Sequence, residues 1–182
     1  PRLPTLKGLK RRGINPSILK RFCKLVGVTK KDALIDIHLL ETCARDEFDK
    51  NAPRLMAVLD PLKVIIENLP KGEEIIIEAQ NHPKDESFKT RKLKLTREIF
   101  IESTDFLEDP PKKFFRLSVG KSVSLRYGFV INCTSIEKDK NGNITTIYCK
   151  YIPGTLNGVN PEGQKIKGII HWVSASEIVK LK

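Results

Sequence analysis

The chain has 182 residues, 40% of them hydrophobic, enough to bury a core in one large domain or two small ones, which excludes a disordered tail. Its net charge of +11 and sequence pI near 9.6 favour an anionic partner, nucleic acid or a membrane surface. No apolar run approaches the roughly 18 residues that cross a bilayer, and Pro1-Arg2-Leu3-Pro4 has no charged-then-apolar leader, so a soluble, cytoplasmic chain is expected.

Thr5 is placed to cap a short helix with Leu6 and Leu9 inward, and Gly13 to end it in a left-handed conformation. Asn15-Pro16 opens a second helix in the cap-then-proline order, with Ile18, Phe22, Leu25 and Val26 on its core stripe and Lys20, Arg21 and Lys24 opposite. Thr29-Lys30-Lys31-Asp32 resembles a capping box with Asp in place of Glu, which would hold two lysines at a helix start, a site suited to a phosphate. A third helix over 37–49 puts Ile37, Leu40, Ala44 and Phe48 on one face and is acidic elsewhere through Glu41, Asp46, Glu47 and Asp49, a poor nucleic-acid surface. Basic charge is therefore uneven, concentrated before residue 32 and again over 84–121.

Asn51-Ala-Pro-Arg-Leu-Met-Ala-Val-Leu-Asp-Pro61 divides the chain. Pro53 cannot donate inside a helix and pushes Ala52 out of the helical region, so the third helix should end there, with Arg54 just past the break. Beyond Pro61 the pattern changes to short β-branched runs, 62–68, 74–78, 98–102, 116–119, 122–126, 129–136, 144–151 and 166–172, without helices between them, which suggests a barrel or sandwich. Pro110-Pro111 predicts an extended linker and Asn141-Gly142 a hairpin turn. Lys112-Lys-Phe-Phe-Arg-Leu117 mixes cations and aromatics just before a strand, the residue types that read unstacked RNA bases, while each Phe is expected first as barrel core.

Catalytic signatures are missing: no phosphate loop, no H-E-x-x-H and no dinucleotide fingerprint occurs. Cys23, Cys43, Cys133 and Cys149 form no C-x-x-C pair, and His38, His82 and His171 lie far from them, so no metal site is expected. Cys133 and Cys149 fall on neighbouring predicted strands, and whether they face each other depends on the turn at Asn141-Gly142. Trp172 reads as a packing residue. The chain does not begin with Met, which suggests a piece of a longer protein.

The stretch Asn-Ala-Pro-Arg-Leu-Met-Ala-Val-Leu-Asp-Pro-Leu-Lys-Val-Ile-Ile-Glu-Asn (51–68) resembles the entry into the anticodon-binding part of the glutaminyl-tRNA synthetase family. Further pieces arrive in the family's order: 4–6 with 9–13, 22–29, Asn81-His-Pro83 and Gly168-Ile-Ile-His-Trp-Val-Ser174. The resemblance implies an α+β fold, with a small helical subdomain over 1–52 contacting the inner face of the tRNA. An antiparallel, ribosomal-protein-like anticodon-binding β-barrel region follows over 53–182, incomplete because the family's pocket draws on residues further along. It implies Arg54, Lys113, Arg116 and Arg126 as anticodon-binding residues, and Thr29, Lys30 and Lys31 as contacts to the D-stem side. Lys113 stands where bacterial members have Gln, Phe115 where they have Lys, and Lys31 where they have Gln. The implied partner is tRNA(Gln), with no membrane partner and a monomeric protein. The parent enzyme would be a glutamine–tRNA ligase using ATP and Mg²⁺. The family's catalytic motifs, His-x-Gly-His and Met-Ser-Lys types in an upstream Rossmann domain, do not occur, so no catalytic residue and no cofactor is expected in this chain. The alternatives are a glutamyl-tRNA synthetase relative and a stand-alone RNA-binding β-barrel module without catalysis.

Overall fold

The computed structural model describes residues 5–177. Backbone contacts divide the chain into two compact units, Pro1–Pro53 and Arg54–Lys182.

The first unit holds α1 (Leu6–Arg11), α2 (Pro16–Val26) and α3 (Ile37–Asn51). Their starts follow the local sequence: Thr5 Oγ1 accepts from the Gly8 N–H at 3.1 Å and Asn15 Oδ1 from the Ile18 N–H at 3.0 Å. Gly13 (φ +85°) takes the left-handed conformation that closes α1. Leu9, Ile18, Leu40 and Cys43 form a small core with Phe22 and Ala44 against it. Leu6 (75% exposed), Leu25 (57%) and Ile37 (53%), expected inward, stand in solvent. Leu6 opens α1, while Leu25 and Ile37 lie near the ends of α2 and α3, beyond the stretch in which those two helices meet through Ser17–Glu47 and Arg21–Asp46. The expected helix start at Thr29 is also corrected. Thr29 Oγ1 instead accepts from the Lys31 N–H at 2.9 Å and donates to its carbonyl, closing a local turn, and α3 is capped by Asp36, which accepts from the His38 N–H at 2.9 Å. A hydroxyl that satisfies its own neighbourhood competes with capping. α3 ends at Ala52 (φ −112°, ψ 136°), extended as the residue before Pro53 must be.

The second unit is built on a seven-stranded sheet, curled into a half-barrel, and a two-stranded one. The strands are β1 (Pro61–Ile66), β2 (Ile75–Gln80), β3 (Thr90–Leu95), β4 (Glu98–Glu102), β5 (Ser122–Leu125), β6 (Val130–Lys138), β7 (Ile144–Ile152), β8 (Ile169–Ile170) and β9 (Val173–Ser174). The large sheet runs β8-β5-β6-β7-β1-β4-β9, and β2 pairs with β3 alone. The chain is thus α+β with a barrel-like sheet. All neighbours are antiparallel except β1 with β7 and β5 with β8. Alternation turns Leu62, Val64 and Ile66 of β1 and Ile99 and Ile101 of β4 into one core with Leu125, Ile147 and Trp172.

Several expectations shift here. β3 went unpredicted, because Thr90-Arg-Lys-Leu-Lys-Leu95 carries lysines and an arginine between few apolar positions; pairing with β2 in register, Ala79 opposite Arg91, overrides weak propensity. Residues 116–119 form no strand and contribute only isolated bridges, Phe106 to Leu117 and Val119 to Cys133. The run 166–172 shortens to β8. Residues 111–114 turn instead of extending, with the Phe114 N–H donating to the Pro111 carbonyl at 3.1 Å. The hairpin after β6 stands as predicted. Gly142 takes φ +85°, and Asp139 Oδ1 accepts from the N–H groups of Asn141 and Asn143 at 2.8 Å each. This turn sets Cys133 directly opposite Cys149, both buried free thiols. The hydrogen bond with Cys133, then burial, pushes the Cys149 thiol far up.

Candidate nucleic-acid interface

Arg54 leads the second unit. Its backbone N–H donates to the Asn81 carbonyl at 2.6 Å, which ties the residue after Pro53 to the end of β2. Asn81 is itself held on every side. Its N–H donates to the Lys89 carbonyl at 3.1 Å, its Nδ2 to the Phe88 carbonyl at 3.0 Å, and its Oδ1 accepts from Arg91 Nη1 at 3.0 Å. The same Arg91 nitrogen reaches the Gln80 carbonyl at 3.2 Å.

Arg126 arrives at this network from the other direction. It sits in the turn after β5, closed by the Gly128 N–H to the Leu125 carbonyl at 2.8 Å. The next residue, Tyr127, takes φ +65°, a conformation such turns usually give to Gly or Asn. The Tyr127 ring lies 5.4 Å from the Arg126 guanidinium carbon and 6.0 Å from that of Arg91, within cation–π range of both. Its hydroxyl donates to the Gln80 carbonyl at 3.4 Å. Below the turn, Trp172 is buried and Nε1 donates to the Arg126 carbonyl at 2.9 Å, the packing role predicted for it. The structure therefore gathers Arg54 and Arg126 around Gln80, Asn81, Arg91 and Tyr127. Sequence reasoning missed Arg91 and Tyr127; the one signal for Arg91 was its place in the basic 84–121 stretch.

Lys113 and Arg116 belong to a second neighbourhood. Lys113 is exposed at φ +94°, in the left-handed region of the turn after Pro111. Arg116 Nη1 forms an ion pair with the Asp105 carboxylate, and Asp105 is buried. Burial pushes the Asp105 carboxyl above its ordinary range, opposed by the Arg116 charge. Phe115 is 51% exposed, and neither it nor Phe114 joins the core.

Thr29, Lys30 and Lys31 are exposed in the first unit. Arg21, on the basic face of α2, is taken up by Asp46 at 2.6 Å, which leaves Lys20 and Lys24 as that face's exposed cations. Among the described residues, no cluster of His, Cys, Asp or Glu is placed to hold a metal ion, and no helix is long and apolar enough to cross a membrane.

Arginines fixed on a sheet rim beside aromatic rings define a surface suited to a polyanion with flat faces. Residues 52–152 match the family described as tRNA synthetases class I (E and Q), anti-codon binding domain. The chain belongs to that family. It is similar to the glutamine–tRNA ligases of Vibrio cholerae (51% identical over 178 residues, 97% of this chain and 32% of the relative), Alteromonas mediterranea (49% over 176 residues, 97% and 32%) and Clostridium perfringens (46% over 179 residues, 98% and 32%). The chain spans about a third of the length of the curated relatives it matches.

Proposed function

We propose that this chain reads the anticodon of tRNA(Gln) as part of a glutamine–tRNA ligase, a cytoplasmic, monomeric enzyme that joins glutamine to its tRNA with ATP and Mg²⁺. The observation that carries the reading is the near-50% identity to glutamine–tRNA ligases across almost the whole chain. Arg54, Arg126, Lys113 and Arg116 act on the anticodon, Thr29, Lys30 and Lys31 on phosphates of the tRNA inner face. The helical subdomain over 1–52 serves the second contact and the barrel region over 53–182 the first, a ribosomal-protein-like barrel completed by further strands of the parent. The physical support is that the Arg54 backbone is tied to Asn81, while the Arg126 guanidinium lies in cation–π range of the Tyr127 ring, whose hydroxyl donates to the Gln80 carbonyl, so both residues stand at one braced corner.

The test is fluorescence anisotropy of the purified chain with a glutamine anticodon stem-loop, the same stem-loop with the anticodon changed, and a glutamate stem-loop. Tightest binding to the glutamine loop, falling steeply with salt, is expected. Equal affinity for all three overturns the specificity, and tighter binding to the glutamate loop assigns the chain to the glutamate-specific branch of the family.

A further inference from the structure

Cys133 of β6 and Cys149 of β7 stand opposite each other, both buried and both free. Their backbone groups point away from one another. The Cys133 N–H donates to the Lys121 carbonyl at 3.2 Å and its carbonyl accepts from the Gly120 N–H at 2.9 Å, while the Cys149 carbonyl accepts from the Glu67 N–H at 2.8 Å. The two residues therefore form a cross-strand pair of the non-hydrogen-bonded kind, whose Cα atoms lie about 4.5 Å apart, inside the roughly 4.4–6.8 Å that a disulfide spans. The register slips directly after Cys133, with Thr134 as the extra residue before Ser135 meets Tyr148. Such a bulge bends one strand alone, which lets β6 adjust to the geometry of a sulfur–sulfur bond.

The two thiols are unequal partners. The hydrogen bond from the Cys149 thiol holds the Cys133 thiol below its ordinary value, so Cys133 is the sulfur that ionises and attacks. Cys133 is also the last buried residue of β6, with Thr134 and Ser135 exposed beyond it. Solvent begins one residue further on, and a local opening of the hairpin admits an oxidant little larger than water. Among the described residues, no third His, Cys, Asp or Glu completes a metal site around the pair. We propose that Cys133 and Cys149 are a dithiol oxidised by peroxides, and that their reversible disulfide staples β6 to β7 and stabilises the barrel. The Cys133 sulfur attacks a peroxide oxygen, the O–O bond breaks, and the alcohol or water leaves with the Cys133 proton, which gives a sulfenic acid. The Cys149 sulfur then attacks the Cys133 sulfur, the S–O bond breaks, and water leaves with the Cys149 proton. Two thiols lose two electrons, and one peroxide gains them.

The experiment treats the reduced chain with hydrogen peroxide, in a C23S background that removes the exposed thiol, then unfolds it in N-ethylmaleimide and digests it with trypsin. Trypsin cuts after Lys138 and Lys140, between the two cysteines, so the peptides carrying Cys133 and Cys149 travel together in mass spectrometry only through a disulfide. That linked pair is expected, with Cys43 alkylated, and dithiothreitol should abolish it. The oxidised chain should melt about 6–12 °C above the reduced one, because the bond closes a loop of roughly 15 residues in the unfolded chain. C133A and C149A should each lose both the linked peptides and the rise. Cys133 and Cys149 both alkylated after peroxide, Cys133 found as sulfinic acid without a link, or a linked chain that melts no higher than the reduced one overturns the proposal.

Discussion

Gly168→Ala tests the geometry on which the second neighbourhood depends. The new Cβ would sit 1.7 Å from the Phe115 carbonyl oxygen and 3.0 Å from Val123 Cγ2. Non-bonded carbon and oxygen approach to about 3.3 Å, so the two segments must part by about 1.6 Å. Both are pinned. The Gly168 and Ile170 carbonyls accept from the Ser124 and Arg126 N–H groups at 3.0 Å each, and the Leu117 N–H donates to the Asp105 carbonyl at 3.0 Å. Overpacking of this kind costs about 1–3 kcal/mol, and losing one backbone hydrogen bond adds about 1 kcal/mol. At about 2–4 °C per kcal/mol for a chain of this size, the melting temperature should fall by about 4–16 °C. Circular dichroism melts of the wild type and G168A measure it. An unchanged melting temperature would refute the argument, because it would mean that the close approach of Phe115 and Gly168 can relax without disturbing the strands beside it.

Arg54→Lys should weaken the glutamine stem-loop by about 1–3 kcal/mol while hardly changing the anticodon-altered one, since an ammonium lacks the planar fork; equal losses on both, by anisotropy, would demote Arg54 to a backbone contact. Tyr127→Leu should loosen Arg91 and Arg126 and weaken RNA binding several-fold, at about 0.5–1 kcal/mol for each lost cation–π contact. Tyr127→Phe should bind nearly as wild type, and a Phe variant as impaired as Leu would shift the role from the ring to the 3.4 Å hydroxyl bond. Because burial holds the folded Asp105 carboxyl above its ordinary pKa, the native state binds its proton more tightly than the unfolded chain does. Wild-type stability relative to Asp105→Asn should therefore decline as pH rises from the ordinary Asp value of about 3.9 through the raised one. Chemical denaturation across that range checks the sign, and a wild type that gains on the variant would show that the Arg116 ion pair outweighs burial.

Much of the helical unit was legible because its signals are local. Thr5, Asn15-Pro16, Gly13 and Pro53 each act within a few residues, and each sets the boundary expected of it. The Thr29 error has the same locality: the residue types of a capping box were present, but the Thr29 hydroxyl closes a turn on Lys31, and Asp36 takes the cap seven residues on. The strands were less legible. β4 matches its predicted limits because Ile99 and Ile101 alternate cleanly, whereas β3 exists through its partner β2, a pairing no single-strand pattern contains. Family resemblance supplied Arg54 and Arg126 as separate positions; that they converge on one corner depends on Asn81, Arg91 and the turn at Tyr127, which only the paired strands bring together.

Backbone strain falls on the same places. Among the described residues, the non-glycine ones at positive φ are Lys89, Lys113, Tyr127 and Asn157. A non-glycine residue in the left-handed region costs on the order of 1 kcal/mol and persists only where its surroundings enforce it. Lys89 supplies the carbonyl that holds the Asn81 N–H, Tyr127 follows Arg126 and lies within cation–π range of two guanidiniums, and Lys113 stands three residues before Arg116. Glycine at 127 would relieve the turn and forfeit the ring that steadies Arg91 and Arg126; glycine at 113 would relieve that turn and forfeit an exposed cation. At 127 and 113, then, the strain is accepted where the turn itself carries a side chain in use. An exposed arginine on a relaxed turn samples many rotamers and must be ordered by its partner, at about 0.5–1.5 kcal/mol for each immobilised side chain. Arg126 and Arg116, held in advance by the Tyr127 ring and the buried Asp105 carboxylate, are ordered by the fold instead, so more of the interaction with an anionic partner remains as affinity.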